Sequence, residues 1–165
     1  MPRVELQAFQ PERDTSLIST WLSRPHVARW WGEQSKALSE LSTHTGETAA
    51  LIIMEGQPVG FLCWQSPSPS ELSEAGLADL PSDLIDVDIM IGEPNALGLG
   101  VGPEALLLLF ERLHDREVRL VGLATALANK RAMTAYAKVG LQPFRDFVEL
   151  GEQYRYFTKS LTDAA

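Results

Sequence analysis

The chain has 165 residues, 45% hydrophobic and 22% charged, as expected of one globular domain (1–165) that buries a core without disulfides or structural metal. Its formal net charge of -8 would repel nucleic-acid phosphates; it would suit a cationic substrate, but taken by itself it reads as solubility alone. A single cysteine, Cys63, excludes an intramolecular disulfide, no Cys/His spacing suggests a metal, and neither a signal segment nor a membrane-spanning apolar run is visible, so a cytoplasmic location without membrane or nucleic-acid partners is expected.

In chain order, Arg3 to Phe9 alternates as a strand with Val4, Leu6 and Ala8 on one face. Pro11 opens a helix whose Leu17, Ile18, Trp21 and Leu22 recur at helical spacing. Two short helices follow, over PHVARWW, ending at Gly32, and over SKALSELS. AALIIMEGQPVGFLCWQS reads as two strands around a turn at Glu55-Gly56-Gln57-Pro58, and PSPSELSEAGLADLPSD as a long surface loop with one helical turn. LIDVDIMI is a strand, Pro103 to His114 a helix, VRLVGLAT a strand, Asn129 to Val139 a helix closed by Gly140, and FRDFVELGEQYRYFTKS a hairpin around Gly151. This order predicts a mixed α/β fold: a mostly antiparallel central sheet with one β-α-β crossover and flanking helices.

Between strand and helix lies ALGLGVGPE, with glycines at 98, 100 and 102. A P-loop would require Lys-Ser or Lys-Thr after the glycines, and neither is there. Gly100 to Ala105 satisfies G-x-G-x-x-A, but the next strand ends without the acidic residue that binds a ribose in dinucleotide sites. A third reading is a pyrophosphate cradle for coenzyme A, built from backbone N–H groups and the helix N-terminus. A tight turn with no ligand needs fewer glycines than these three.

ALGLGVGPEALLLLFERL, preceded by IDVDIMIGEPN and followed by VRLVGLATALANKRAMTAYAKVGLQPF, resembles the GNAT acetyltransferase superfamily. WLSRPHVARWWG and EGQPVGF extend the resemblance toward the aminoglycoside 6′-N-acetyltransferase branch over nearly the whole chain. The resemblance implies the GNAT acyl-CoA N-acyltransferase fold and acetyl-CoA as co-substrate. Its cofactor-binding residues would be Met90, Ile91, Leu97, Gly98, Leu99, Gly100, Val101, Gly102, Asn129, Arg131 and Tyr136. Leu97 stands where many members carry Gln or Arg, so this loop relies on backbone donors.

Acetylating an amine requires it neutral, and an alkylammonium has a pKa of roughly 10, so a base must take its proton. In Asp86-Val87-Asp88 the alternation of a strand sends both carboxylates to one face, where proximity should raise one pKa. Decoration of an exposed sheet face is the plain alternative. The resemblance implies that Asp88 binds the reactive amine and acts as base, and that Tyr136, on the helix after Asn129, hydrogen-bonds the departing thiolate. Backbone N–H groups of the Asp88 strand would hold the carbonyl oxygen.

Of the adjacent Trp30 and Trp31, one should pack in the core and the other line an opening. The resemblance points to Trp31 as the lining residue, with Asp86 and Asp88 on the acceptor side and Glu47, Cys63 and Gln65 as further lining; Cys63, mid-strand in GFLCWQS with no nearby His, reads as a buried thiol rather than a nucleophile. The expected activity is acetyl transfer from acetyl-CoA to a primary amine of a small cationic acceptor, such as an aminoglycoside 6′-amine. A siderophore hydroxylamine, polyamine or peptide amine is the same-class alternative, and a non-catalytic acetyl-CoA-binding module the different-class one.

Overall fold

The computed structural model describes residues 2–162. Its strands are β1 (Val4–Ala8), β2 (Ala49–Met54), β3 (Gln57–Gln65), β4 (Ile85–Ile91), β5 (Leu120–Ala126), β6 (Gln142–Glu149) and β7 (Glu152–Ser160). Its α-helices are α1 (Pro11–Ser23), α2 (Pro25–Trp31), α3 (Gln34–Leu41), α4 (Pro69–Glu74), α5 (Val101–Asp115) and α6 (Lys130–Lys138). The strands hydrogen-bond in the order β1-β2-β3-β4-β5-β7-β6. β4 and β5 run parallel, as a strand–helix–strand crossover through α5 requires, whereas β1–β2, β2–β3, β5–β7 and β6–β7 are antiparallel. The mixed α/β reading is thereby correct.

The chain divides into two compact units, residues 2–63 with 89–105 and residues 64–88 with 106–162. In the first, Ile18, Trp21 and Leu22 of α1 pack with Val27, Ala37, Leu41, Leu51, Phe61 and Met90. The helical spacing in α1 places these side chains on one stripe, which is the stripe that is buried. β1 departs from its expected pattern: Ala8 is exposed and the next residue, Phe9, is buried instead. The β2–β3 turn is confined to Glu55 and Gly56, both left-handed with φ of 50° and 80°, the backbone that a two-residue hairpin loop demands. Gln57 and Pro58, expected in the turn, already belong to β3; Pro58 faces Ile53 at a register shift, where a residue without an N–H is tolerated.

In the second unit Leu72, Leu77, Leu80, Leu84 and Tyr156 form a core cluster. Three of these, Leu72, Leu77 and Leu80, come from the segment expected to be a surface loop. α4 opens there with a reciprocal Ser68/Glu71 capping box, and Arg145 of β6 forks onto Asp79 at 2.6 and 2.9 Å while donating to the Gly76 carbonyl at 2.9 Å. α5 starts at Val101 rather than Pro103, so Pro103 is its third residue and still lies in the first turn, where its missing N–H costs nothing. α6 begins one residue later than expected because Asn129 is its cap, the side-chain oxygen accepting from the Ala132 N–H at 3.2 Å.

Candidate active site

At the end of β4, in the first unit, a clamp holds the approach to the glycine loop. Trp21 Nε1 donates to Glu93 Oε2 at 2.7 Å, Arg24 donates to Glu93 Oε1 at 2.7 Å and to the Gly92 carbonyl at 3.1 Å, and the His26 ring lies 2.9 Å from the Ile91 carbonyl. A Cβ at Gly92 would stand 2.0 Å from the Trp21 ring, so the indole can lie on the chain only because a glycine is there. Beyond a 3-10 turn at Pro94–Ala96, Gly98 and Gly100 have φ of 77° and 79°, a backbone that side chains disfavour. Gly102 differs: it is not left-handed, and a Cβ there would meet no protein atom within 4 Å. Neither strain nor crowding within the protein accounts for it, and the space before the first turn of α5 is open.

The first-turn N–H groups of a helix lack intrahelical acceptors and carry partial positive charge. Val101 is 1% exposed, Leu99 46%, and Leu97 brings no polar atom, so what this loop offers a ligand is main chain. Backbone donors in an open cradle fit a pyrophosphate.

The second unit assembles Gln65, Asp86 and Asp88. Gln65 Nε2, from β3, donates to Asp86 Oδ2 at 2.9 Å and reaches Asp88 Oδ2 at 3.4 Å, so one amide spans two carboxylates on the same face of β4. Tyr156 of β7 donates its phenol proton to Asp86 Oδ1 at 2.8 Å. Burial pushes the Asp86 carboxyl up to about 7; the charge on Asp88 adds to the rise, and the bonds from Tyr156 and Gln65 oppose it. The proximity of the two acids, expected from sequence to be the cause, is therefore the second one.

Tyr136 is 7% exposed and sets its ring edge-on to Phe157, centroids 5.7 Å apart. Burial, then the charges of Asp88 and Asp86, raise its phenol well above the usual value, so it stays protonated as a hydrogen-bond donor. Arg131 is exposed in the first turn of α6, and Asn129 already spends its side-chain oxygen on the helix cap.

The other residues expected on the acceptor side, Trp31 and Glu47, belong to the first unit. Trp31 does not stand clear of the core but packs at its edge, half-buried, while Trp30 carries the Arg29 guanidinium 4.5 Å from its ring. Glu47 is exposed in a turn. The Met90 and Cys63 side chains are both core, at 4% and 1% exposure, so Met90 has only its main chain to offer a ligand. Ile91 is half-buried.

Sequence reasoning missed Tyr156. Its phenol reaches Asp86 by crossing β5 above Gly122, where an added Cβ would lie 2.0 Å from the Tyr156 oxygen. A glycine inside the apolar strand VRLVGLAT was the available signal that something approaches closely there.

A profile of the Acetyltransferase (GNAT) domain family matches residues 10–148. The aminoglycoside N(6′)-acetyltransferase type 1 of Klebsiella pneumoniae is 25% identical over 145 residues, spanning 79% of this chain and 70% of that protein. Among solved structures, aminoglycoside acetyltransferase AAC(6′)-Ib in complex with coenzyme A superposes with a TM-score of 0.77 at 20% identity, covering 96% of this chain and 95% of the other. An aminoglycoside N(6′)-acetyltransferase from Legionella pneumophila superposes with a TM-score of 0.73 at 16% identity, covering 96% and 92%. At these identities the superpositions speak for the fold, and the family match speaks for the chemistry. With that domain matched over most of its length, the chain belongs to the GNAT acetyltransferase family and is an acetyl-CoA-dependent N-acetyltransferase.

Proposed function

We propose that this enzyme acetylates a primary amine on a small polycationic acceptor, an aminosugar such as the 6′-amine of an aminoglycoside, by direct transfer. The observation that carries this reading is the acidic pair Asp86/Asp88, bridged by Gln65 on one face of β4. Two carboxyl groups suit an acceptor that arrives as an ammonium, and the curated relatives at 25% identity are named for aminoglycosides.

In this reading Asp88 binds the ammonium and takes its proton, freeing the lone pair that attacks the thioester carbonyl. Main-chain N–H groups of the Asp88 strand steady the oxygen as charge develops on it. Tyr136, kept protonated, donates to the departing sulfur. The balance is one amide formed, one thioester broken and one proton released for each ammonium consumed. The glycine loop holds the pyrophosphate of coenzyme A through its main chain. Cys63 takes no part, being 1% exposed in the core.

The test is thiol release from acetyl-CoA with aminoglycosides, polyamines, hydroxylamines and peptide amines, in the wild type and in Asp88→Asn. We expect an aminoglycoside to be preferred. Loss of the base should lower kcat by about 10²–10⁴-fold while acetyl-CoA affinity stays within about twofold of wild type. Preference for another amine class would overturn the acceptor assignment, and no turnover of any amine would favour a binding module.

A further inference from the structure

Gly122 pairs in register with Asp86 across the parallel β4–β5 ladder, and Ala124, two residues on, pairs with Tyr156. The Tyr156 side chain leans along β7 by one pleat and passes over Gly122; its oxygen, Cζ and Cε2 would lie 2.0, 2.4 and 2.5 Å from a Cβ at that position. Gly122 is thus a notch in the middle strand of three, and through it a residue of β7 touches a carboxyl on β4. Tyr156 is itself 4% exposed and seated in the cluster of Leu72, Leu77, Leu80 and Leu84, which leaves its ring little freedom to swing away. Burial, then the charge of Asp86, keep its phenol protonated, so its proton stays available for the bond to Asp86 in the neutral range.

We propose that Tyr156, acting through the Gly122 notch together with Gln65, is the positioning residue that fixes Asp86 and sets how the Asp86/Asp88 pair holds its proton. Each Asp86 oxygen has its own donor, Tyr156 on Oδ1 and Gln65 on Oδ2, so the carboxyl cannot rotate without breaking a bond. The groups acting on it are Asp88 on its own strand, Gln65 on β3, Glu71 on α4 and Tyr156 on β7, and the Tyr136 phenol on α6 feels both acids. Among these, the two donors favour the charged form of Asp86, and burial with the negative charges of Asp88 and Glu71 oppose it. An acceptor ammonium entering the pair adds a positive charge and expels the held proton. This role deepens the acetyltransfer reading and rests on it.

The experiment follows the carboxyl titration of Asp86 by NMR in protein labelled with 13C at aspartate, in wild type, Tyr156→Phe and Gly122→Ala, alongside the pH profile of kcat/KM for kanamycin. Tyr156→Phe keeps the ring and removes only the donor. Its Asp86 midpoint should rise by about one pH unit, and the acid limb of kcat/KM should move up with it. Gly122→Ala, which displaces the phenol without deleting it, should reproduce the shift if it folds. An unmoved midpoint in Tyr156→Phe overturns the proposal, as does a moved midpoint with an unmoved acid limb. If kanamycin and every other amine fail to turn over, the acetyltransfer reading falls, while the NMR midpoint still decides whether Tyr156 controls the pair.

Discussion

Asp86 is an acid whose folded environment favours its neutral form, and this makes a stability prediction independent of catalysis. Its carboxyl titrates near 3.8 in the unfolded chain and at about 7 in the folded one. Between those values the native state holds a proton that the unfolded state has lost, so the contribution is fully present below about pH 4 and is lost as pH rises through about 7. Asp86→Asn removes the charge that would form. The wild type should lose stability relative to Asp86→Asn between pH 5 and pH 8, by up to a few kcal/mol, which thermal melts across that range would read. A constant difference between the two proteins would show that Asp86 does not titrate there.

At the scale of elements, the glycine loop and the start of α5 separate two uses of glycine that look identical in sequence. Gly98, at φ 77°, is glycine because of its backbone, so Gly98→Ala should cost about 1–2 kcal/mol of stability whether or not coenzyme A is present. Gly102 has an ordinary backbone and open space before it, so Gly102→Leu should leave the melting temperature of the free protein within about 2 °C. If the glycine loop holds the coenzyme as proposed, the same change should weaken acetyl-CoA binding by about tenfold or more, because the added side chain fills the open space at Gly102. Calorimetric titration with acetyl-CoA beside thermal melts distinguishes the cases, and unchanged affinity in Gly102→Leu would remove the loop from the binding site.

For the whole molecule, the formal charge of -8 sets a long-range field that attracts a polycation. Raising ionic strength from 25 mM to 500 mM should lower kcat/KM for a polycationic acceptor by about tenfold and leave kcat and the KM for acetyl-CoA little changed. A salt-independent kcat/KM would mean that the charge serves solubility alone. Among the described residues no helix is long and apolar enough to cross a membrane. What the sequence by itself determined here is whatever depends on neighbours along the chain. The helical stripe of α1, the alternation that puts Asp86 and Asp88 on one face and the closing of α6 at Gly140 all follow from backbone geometry over a few residues. Only the tertiary structure decided which strand lies beside which. That pairing carries Tyr156 across Gly122 to an acid 70 residues away in the chain, brings the Gln65 amide between two carboxylates, and turns a Pro/Ser/Glu-rich segment into the apolar support beneath the phenol. These contacts depend on strand register and on side-chain volume in three dimensions, which a one-dimensional pattern does not encode.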